Sequence, residues 1–220
     1  MAPQQPAGRP IRTVTLPPIG LEGLLGVPAQ AKGIVLFAHG SGSGRFSPRN
    51  TFVARALRES GLATLLFDLL TVEEEADRRN VFDIALLSQR LRMATAWVRQ
   101  DPETADLAIG YFGASTGGAA ALVAAAAEGE RVAAVVSRGG RPDLAGPALD
   151  AVKAPTLLIV GGDDDAVLAL NRAALAELRC EKELSVVPGA THLFEEPGAL
   201  EAVVAHARGW FLAHLAQAGA

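Results

Sequence analysis

Six apolar runs, separated by segments of a different period, restrict what this chain can fold into more than any other feature of it. They occupy residues 33–38, 62–67, 107–112, 132–136, 156–160 and 184–187. Each is apolar almost without interruption, so a strand formed there must be covered on both faces rather than one. Between the runs lie segments with apolar residues at steps of three and four, for example Ile84, Leu87, Leu91, Ala94 and Val98, with Asn80 placed to cap the start. Doubly buried strands alternating with amphipathic helices predict an α/β architecture, a mostly parallel sheet with helices on both faces. Two shorter extended segments, 11–16 and 21–27, flank Pro17-Pro18-Ile19-Gly20 and predict a hairpin or antiparallel start, which brings the sheet to eight strands. A last helix, opened by Pro197, carries Leu200, Val203, Val204, Ala207, Phe211 and Leu215 on one stripe, with His214 beside it and His206 off it.

Composition narrows the classes of partner. With 220 residues and 50% hydrophobic content, one core suffices, and one domain over residues 11–220 is expected behind a Pro-rich, flexible segment at 1–10. A net charge of −4 with no Lys/Arg block argues against nucleic acid or an anionic membrane as partner. Residues 107–127 lack charge for long enough to raise the question of a membrane span, but Gly, Ser and Thr in their middle fit a strand, a turn and a helix better. Cys180 has no second cysteine to pair with, and the first ten residues have no apolar core of a signal peptide, so a reducing cytoplasm is the expected location.

The turn in that central stretch is Gly113-Ala114-Ser115-Thr116-Gly117, a G-x-S-x-G pattern between an apolar run and the Ala-rich segment 119–127. In that context the serine hydroxyl is lifted above the sheet edge, while small neighbours let turn, strand and helix approach. The following helix N-terminus adds free backbone N–H groups and a positive dipole end, both suited to a developing oxyanion. The bland alternative is a Gly-rich turn that only packs a helix on a sheet.

In an open parallel sheet, ligands bind beyond the carboxyl ends of the strands, so the polar residues that follow each run are the candidates for chemistry. These are the 39–45 loop, Asp68, Ser115, Arg138 and Arg141, Asp163 to Asp165, and His192. A serine hydroxyl needs a neutral imidazole to take its proton and a carboxylate to orient the ring. Ser115, one of Asp163 to Asp165, and His192 supply these groups in the order Ser, Asp, His, on three separate loops, the order expected of α/β-hydrolases. Asp163 and Asp165 also suit helix capping. A divalent metal held by the three aspartates and His192 is a competing reading that leaves Ser115 unexplained. Thr116 N–H, just after the nucleophile, and one N–H of the loop after the 33–38 run are the expected oxyanion donors.

With these residues in view, the chain resembles the dienelactone-hydrolase-like group of the α/β-hydrolase superfamily over residues 11–215. The resemblance implies the α/β-hydrolase fold and places the family's G-x-x-D-x-x-V spacing on Gly161, Asp164 and Val167, which selects Asp164 as the acid. Pro188-Gly189-Ala190-Thr191-His192 resembles the family's histidine loop, and His39-Gly40-Ser41 its H-G-x turn, which selects Ser41 as the second oxyanion donor and makes His39 a turn-shaping residue. Dienelactone hydrolases proper use a cysteine nucleophile, so their substrate does not carry over to a chain with Ser115. The stretches Ser47-Pro48-Arg49-Asn50, Phe67 to Glu75 and Ser137 to Asp143 are similar to a bacterial subgroup sometimes joined to phosphoribosyltransferase domains, of which these 220 residues contain no sign.

Only residues 137–155 separate the sixth and seventh strands, where related hydrolases insert a helical lid, so little or no lid and an open site are expected. An open cleft favours small soluble esters or lactones as substrate partners. Arg45, Arg49, Arg138 and Arg141 lie in loops at the same edge and are candidates to hold a substrate anion, or else to pair with Asp68, Asp143 and the Glu73 to Glu75 run. No cofactor is expected. The expected activity is ester or lactone hydrolysis through an acyl-enzyme on Ser115. The alternatives are an amidase, peptidase or acyltransferase with the same three residues, or a non-catalytic binding protein on the same scaffold.

Overall fold

The computed structural model describes residues 10–216; of the flexible segment expected at 1–10, all but Pro10 lies outside them. Eight strands form one sheet: β1 (Arg12–Leu16), β2 (Leu21–Gly26), β3 (Ile34–Ala38), β4 (Ala63–Phe67), β5 (Ile109–Ala114), β6 (Ala134–Arg138), β7 (Thr156–Gly161) and β8 (Lys182–Val187), in the spatial order β1-β2-β4-β3-β5-β6-β7-β8. The β1–β2 and β2–β4 pairings are antiparallel and the other five are parallel. Every residue of β3 to β7 is buried, whereas the edge strands β1 and β8 alternate. That contrast is what the apolar runs of β3 to β7 require, since a central strand has two faces to fill; the run at 184–187, expected to be covered on both faces, instead lies at the sheet edge in β8 with Val186 exposed.

Five long helices cover those faces: α1 (Pro48–Glu59), α4 (Ile84–Val98), α5 (Thr116–Glu128), α6 (Asp165–Glu177) and α7 (Ala199–Leu215). On one side α1 and α7 bring Val53, Leu57, Val203, Ala207 and Phe211 onto Phe37, Phe112, Val136 and Ile159. On the other, Leu87, Leu91, Ala94 and Val98 of α4 and the alanines of α5 pack on Leu36, Tyr111, Val135 and Leu158. The expected stripes on α4 and α7 therefore face the sheet. Their starts differ in detail from the sequence reading. The residues before α4 coil into two short helices, α2 (Val72–Glu75) and α3 (Arg78–Val81), so Asn80 belongs to α3, where its Nδ2 donates to Glu74 O. The cap of α4 is Asp83, whose carboxylate accepts from Leu86 N at 2.9 Å. Helix α7 begins after Gly198, two residues beyond Pro197.

Two features of this topology place a site. Strand β3 lies between β4 and β5, so the chain leaves it toward one side and later returns on the other; the crevice beyond its carboxyl end lies where the connections diverge. Between β6 and β7, residues Pro142–Ala151 form short 3₁₀ turns, broken at Gly146, that fold onto α5 and α6. No helical insertion covers the crevice there.

Candidate active site

Ser115 stands at the turn between β5 and α5 with φ +51° and ψ −121°, a conformation that costs a non-glycine residue about 1–3 kcal/mol. The surroundings enforce it. A β-carbon at Gly117 would fall well inside contact distance of the Ala38 carbonyl, and one at Gly113 would strike the backbone of Gly117 and Gly118. The two glycines thus let α5 rest directly on β3 and β5, which leaves the intervening residue no ordinary helical or extended path. Ser115 N donates to Arg138 O at 3.3 Å and Arg141 N donates to Ser115 O at 3.1 Å, so the turn is also tied to the end of β6.

Asp164 and His192 meet at the carboxyl ends of β7 and β8. Nδ1 of His192 lies 2.7 Å from Asp164 Oδ2, with the carboxylate mostly buried and the imidazole partly exposed. Of the three aspartates expected there, Asp163 and Asp165 are exposed and neither reaches the ring. They do not converge on a metal either: among the described residues no group of three or more His, Cys, Asp or Glu side chains is placed to hold one. With Nδ1–H donated to Asp164, Nε2 is the nitrogen left to accept a proton. No hydrogen bond joins it to Ser115, but His192 and Ser115 line the same cleft, of about 180 Å³, together with Ser41 and Arg138.

The loop after β3 reaches this cleft at Gly40 and Ser41. His39 behind it is buried: Leu69 N donates to its Nε2 at 3.0 Å, and its Nδ1 lies 3.0 Å from Gly40 O. Both nitrogens are used in holding β3, β4 and the turn together, and burial lowers its pKa below the ordinary imidazole value. That is the turn-shaping part. Thr116, in the first turn of α5, has no preceding helical carbonyl for its N–H, as an oxyanion donor requires.

The four candidate arginines separate into two pairs. Arg45 is engaged by Asp68 and Glu22, and Arg141 holds Asp143 through Nε at 2.8 Å and Nη2 at 2.7 Å; neither lines the cleft. Arg49 and Arg138 do line it. Arg138 is 6% exposed, donates to Asn50 Oδ1 at 3.3 Å, and lies over the ring of Phe194. Asn50, also in the cleft wall, was not among the candidate site residues, although the Ser47-to-Asn50 stretch stood out in the sequence; its place three residues into a helix capped by Ser47 was the available signal. A wider depression of about 620 Å³ between β8 and α7 lies elsewhere and contains His206 and His214, set against Ser185 and Glu181.

A mostly parallel sheet whose central strand turns through a strained serine into a helix is the architecture of the α/β-hydrolase superfamily. The dienelactone hydrolase family model matches residues 21–213. The chain belongs to the dienelactone hydrolase family. It is similar to a crystal structure of dienelactone hydrolase from Anabaena variabilis, with 58% identity, a TM-score of 0.90, and coverage of 94% of this chain and 97% of that one. Est1E from Butyrivibrio proteoclasticus shares the fold at 17% identity, with a TM-score of 0.77 over 94% of this chain and 98% of its own. Among curated proteins, one of Mycobacterium tuberculosis named as a phosphoribosyl transferase is 60% identical over 202 residues, which is 92% of this chain and 46% of that relative. The chain thus spans less than half the length of that relative.

Proposed function

We propose that the chain is a serine hydrolase that cleaves carboxylic ester or lactone bonds of small soluble substrates. The observation that carries this reading is the Asp164–His192 bond at 2.7 Å in a cleft shared with a serine held at φ +51°. Ser115 Oγ adds to the substrate carbonyl carbon as His192 Nε2 takes the hydroxyl proton. The carbonyl oxygen becomes an oxyanion held by the N–H groups of Ser41 and Thr116, and Asp164 stabilises the imidazolium. Collapse of the adduct breaks the carbonyl-to-alkoxy bond, and His192 returns the proton to the departing oxygen; in a lactone that oxygen stays tethered. Water then adds to the acyl-enzyme by the same route and releases the acid and Ser115.

The absence of a covering insertion between β6 and β7 supports short substrates over long acyl chains. Amide cleavage or acyl transfer would use the same intermediate with another leaving group or acceptor, and a panel of short esters, lactones, thioesters and amides separates these. We assign the phosphoribosyl transferase name of the longer relative to the part this chain does not cover, because the paired carboxylate and imidazole serve acyl chemistry. No helix among the described residues is long and apolar enough to cross a membrane, and with the unpaired Cys180 this supports the cytoplasm as the working compartment.

A fluorophosphonate probe tests the central claim. The probe is expected on Ser115 by peptide mapping, and the Ser115→Ala protein is expected to stay unlabelled. An unreactive wild-type protein would reduce the elbow to architecture and leave a non-catalytic binding protein.

A further inference from the structure

Arg138 is an anomaly in energetic terms. Its guanidinium is nine-tenths buried, its Nε has no hydrogen-bond partner, and among the described residues no carboxylate pairs with it. A buried charge without a counter-ion is costly, so such a group is ordinarily paired or neutralised. Among the described residues, its one side-chain hydrogen bond is to the neutral amide of Asn50. Burial and the nearby Arg49 lower its pKa to about 10, which still leaves it cationic at neutral pH.

What surrounds Arg138 adds to the positive potential. Arg49 lines the same cleft, and among the described residues its one carboxylate partner is the exposed Glu195, at 3.1 Å. Ser47, Arg49 and Asn50 belong to the start of the twelve-residue helix α1, whose first turn contains no acidic residue. Pro48 removes one backbone donor there and Ser47 Oγ takes the N–H of Asn50, so the helix end contributes chiefly its dipole and the Arg49 N–H. Two guanidinium groups, one carboxylate and a helix N-terminus of about half a charge leave roughly +1.5 at this end of the cleft. A phosphate monoester, at about −1.5 to −2, offsets that charge in full, whereas a carboxylate at −1 leaves about half a positive charge uncompensated. Position fits as well, since Arg138 faces Ala114 across the β5–β6 pairing and is one residue from alignment with Ser115.

We infer that Arg138, Arg49 and the first turn of α1 form an anion subsite for a phosphate group on the substrate, which makes the substrate a small phosphorylated ester or lactone. The substrate assignment rests on the serine hydrolase reading; the anion site itself does not.

Calorimetric titration of the full chain with inorganic phosphate, near neutral pH, separates the two. Phosphate should bind wild type and Ser115→Ala alike, and acetate at least about tenfold more weakly. Arg49→Ala, a change at a partly exposed side chain, should weaken phosphate at least about tenfold, the equivalent of one lost charged hydrogen bond. Arg138→Met should do the same if it folds, and Arg49→Ala decides the matter if it does not. In the ester assay, phosphate should raise KM for p-nitrophenyl acetate without lowering kcat. Absence of phosphate binding, equal affinity for acetate, or an unchanged affinity in Arg49→Ala would overturn the subsite. Phosphate binding by a protein that no fluorophosphonate labels would keep the anion site and discard the hydrolase.

Discussion

Asp164 occupies the N-cap position of α6, yet its carboxylate turns away from that helix and bonds His192 instead, 28 residues further along the chain. A cap contributes about 1 kcal/mol, and here the helix goes without one. The side chain that could stabilise its own helix is committed to fixing which imidazole nitrogen is protonated. Its neighbours Asp163 and Asp165 face solvent.

This asymmetry separates the three aspartates in the test tube. Asp164→Asn is expected to lower kcat for p-nitrophenyl acetate by about 10²- to 10⁴-fold, because an amide can hold the ring in the wrong tautomer. Asp163→Asn and Asp165→Asn should remain within about threefold of wild type, since surface changes remote from special contacts cost little. Steady-state kinetics of the three variants provides the comparison, and an equal loss at Asp163 would reject the assignment.

Substitution of the serine at the elbow should divide chemistry from strain. Ser115→Ala and Ser115→Gly are both expected to lose at least about 10³-fold in turnover, having no nucleophile. Only the glycine variant escapes the penalty of φ +51°, so it should be more stable than the alanine variant by about 1 kcal/mol. Denaturant melts of the pair would show the difference; identical midpoints would mean that the turn is not strained.

Gly117→Ala is expected to destabilise the fold by about 1–3 kcal/mol or more, since the added methyl would meet the Ala38 carbonyl, a backbone atom of a central strand that has nowhere to go. Gly129→Ala makes a control of a different kind: that residue has open space but φ +60° and ψ −129°, so its cost is conformational only and should be about 1–3 kcal/mol, as for the same backbone region at Ser115. Thermal melts in which Gly117→Ala costs less than Gly129→Ala would show that the α5–β3 contact is looser than described.

The buried His39 predicts a pH dependence of stability. Its folded-state pKa lies below the ordinary value near 6.5, so between the two values the unfolded chain binds a proton that the native chain does not. Stability from this residue is therefore complete above about pH 6.5 and declines as the pH falls from there toward the folded pKa. His39→Gln cannot titrate. Its melting temperature should fall less than that of wild type between pH 7 and pH 5, in parallel thermal melts; superimposable profiles would assign the acid sensitivity to other groups.

Much of this molecule is a local property of its sequence. The unbroken apolar runs had to become strands, and all six did; five are covered on two faces, while the run at 184–187 forms the edge strand β8 and leaves Val186 exposed, with the hairpin completing the sheet. The elbow was legible for the same reason: Gly113, Ser115 and Gly117 are close along the chain, and the constraint they obey acts over five residues. The order of Ser, Asp and His followed from which residues come directly after each run. What the sequence could not reveal depends on contacts between distant segments. That Arg45 and Arg141 are spent on carboxylates while Arg138 is buried with none among the described residues, that Asp83 rather than Asn80 caps α4, and that Asp164 reaches across to His192 are outcomes of packing. Side chains of one type at one sheet edge look alike in sequence, and only the positions of their partners in space decide which are neutralised and which keep their charge for a ligand.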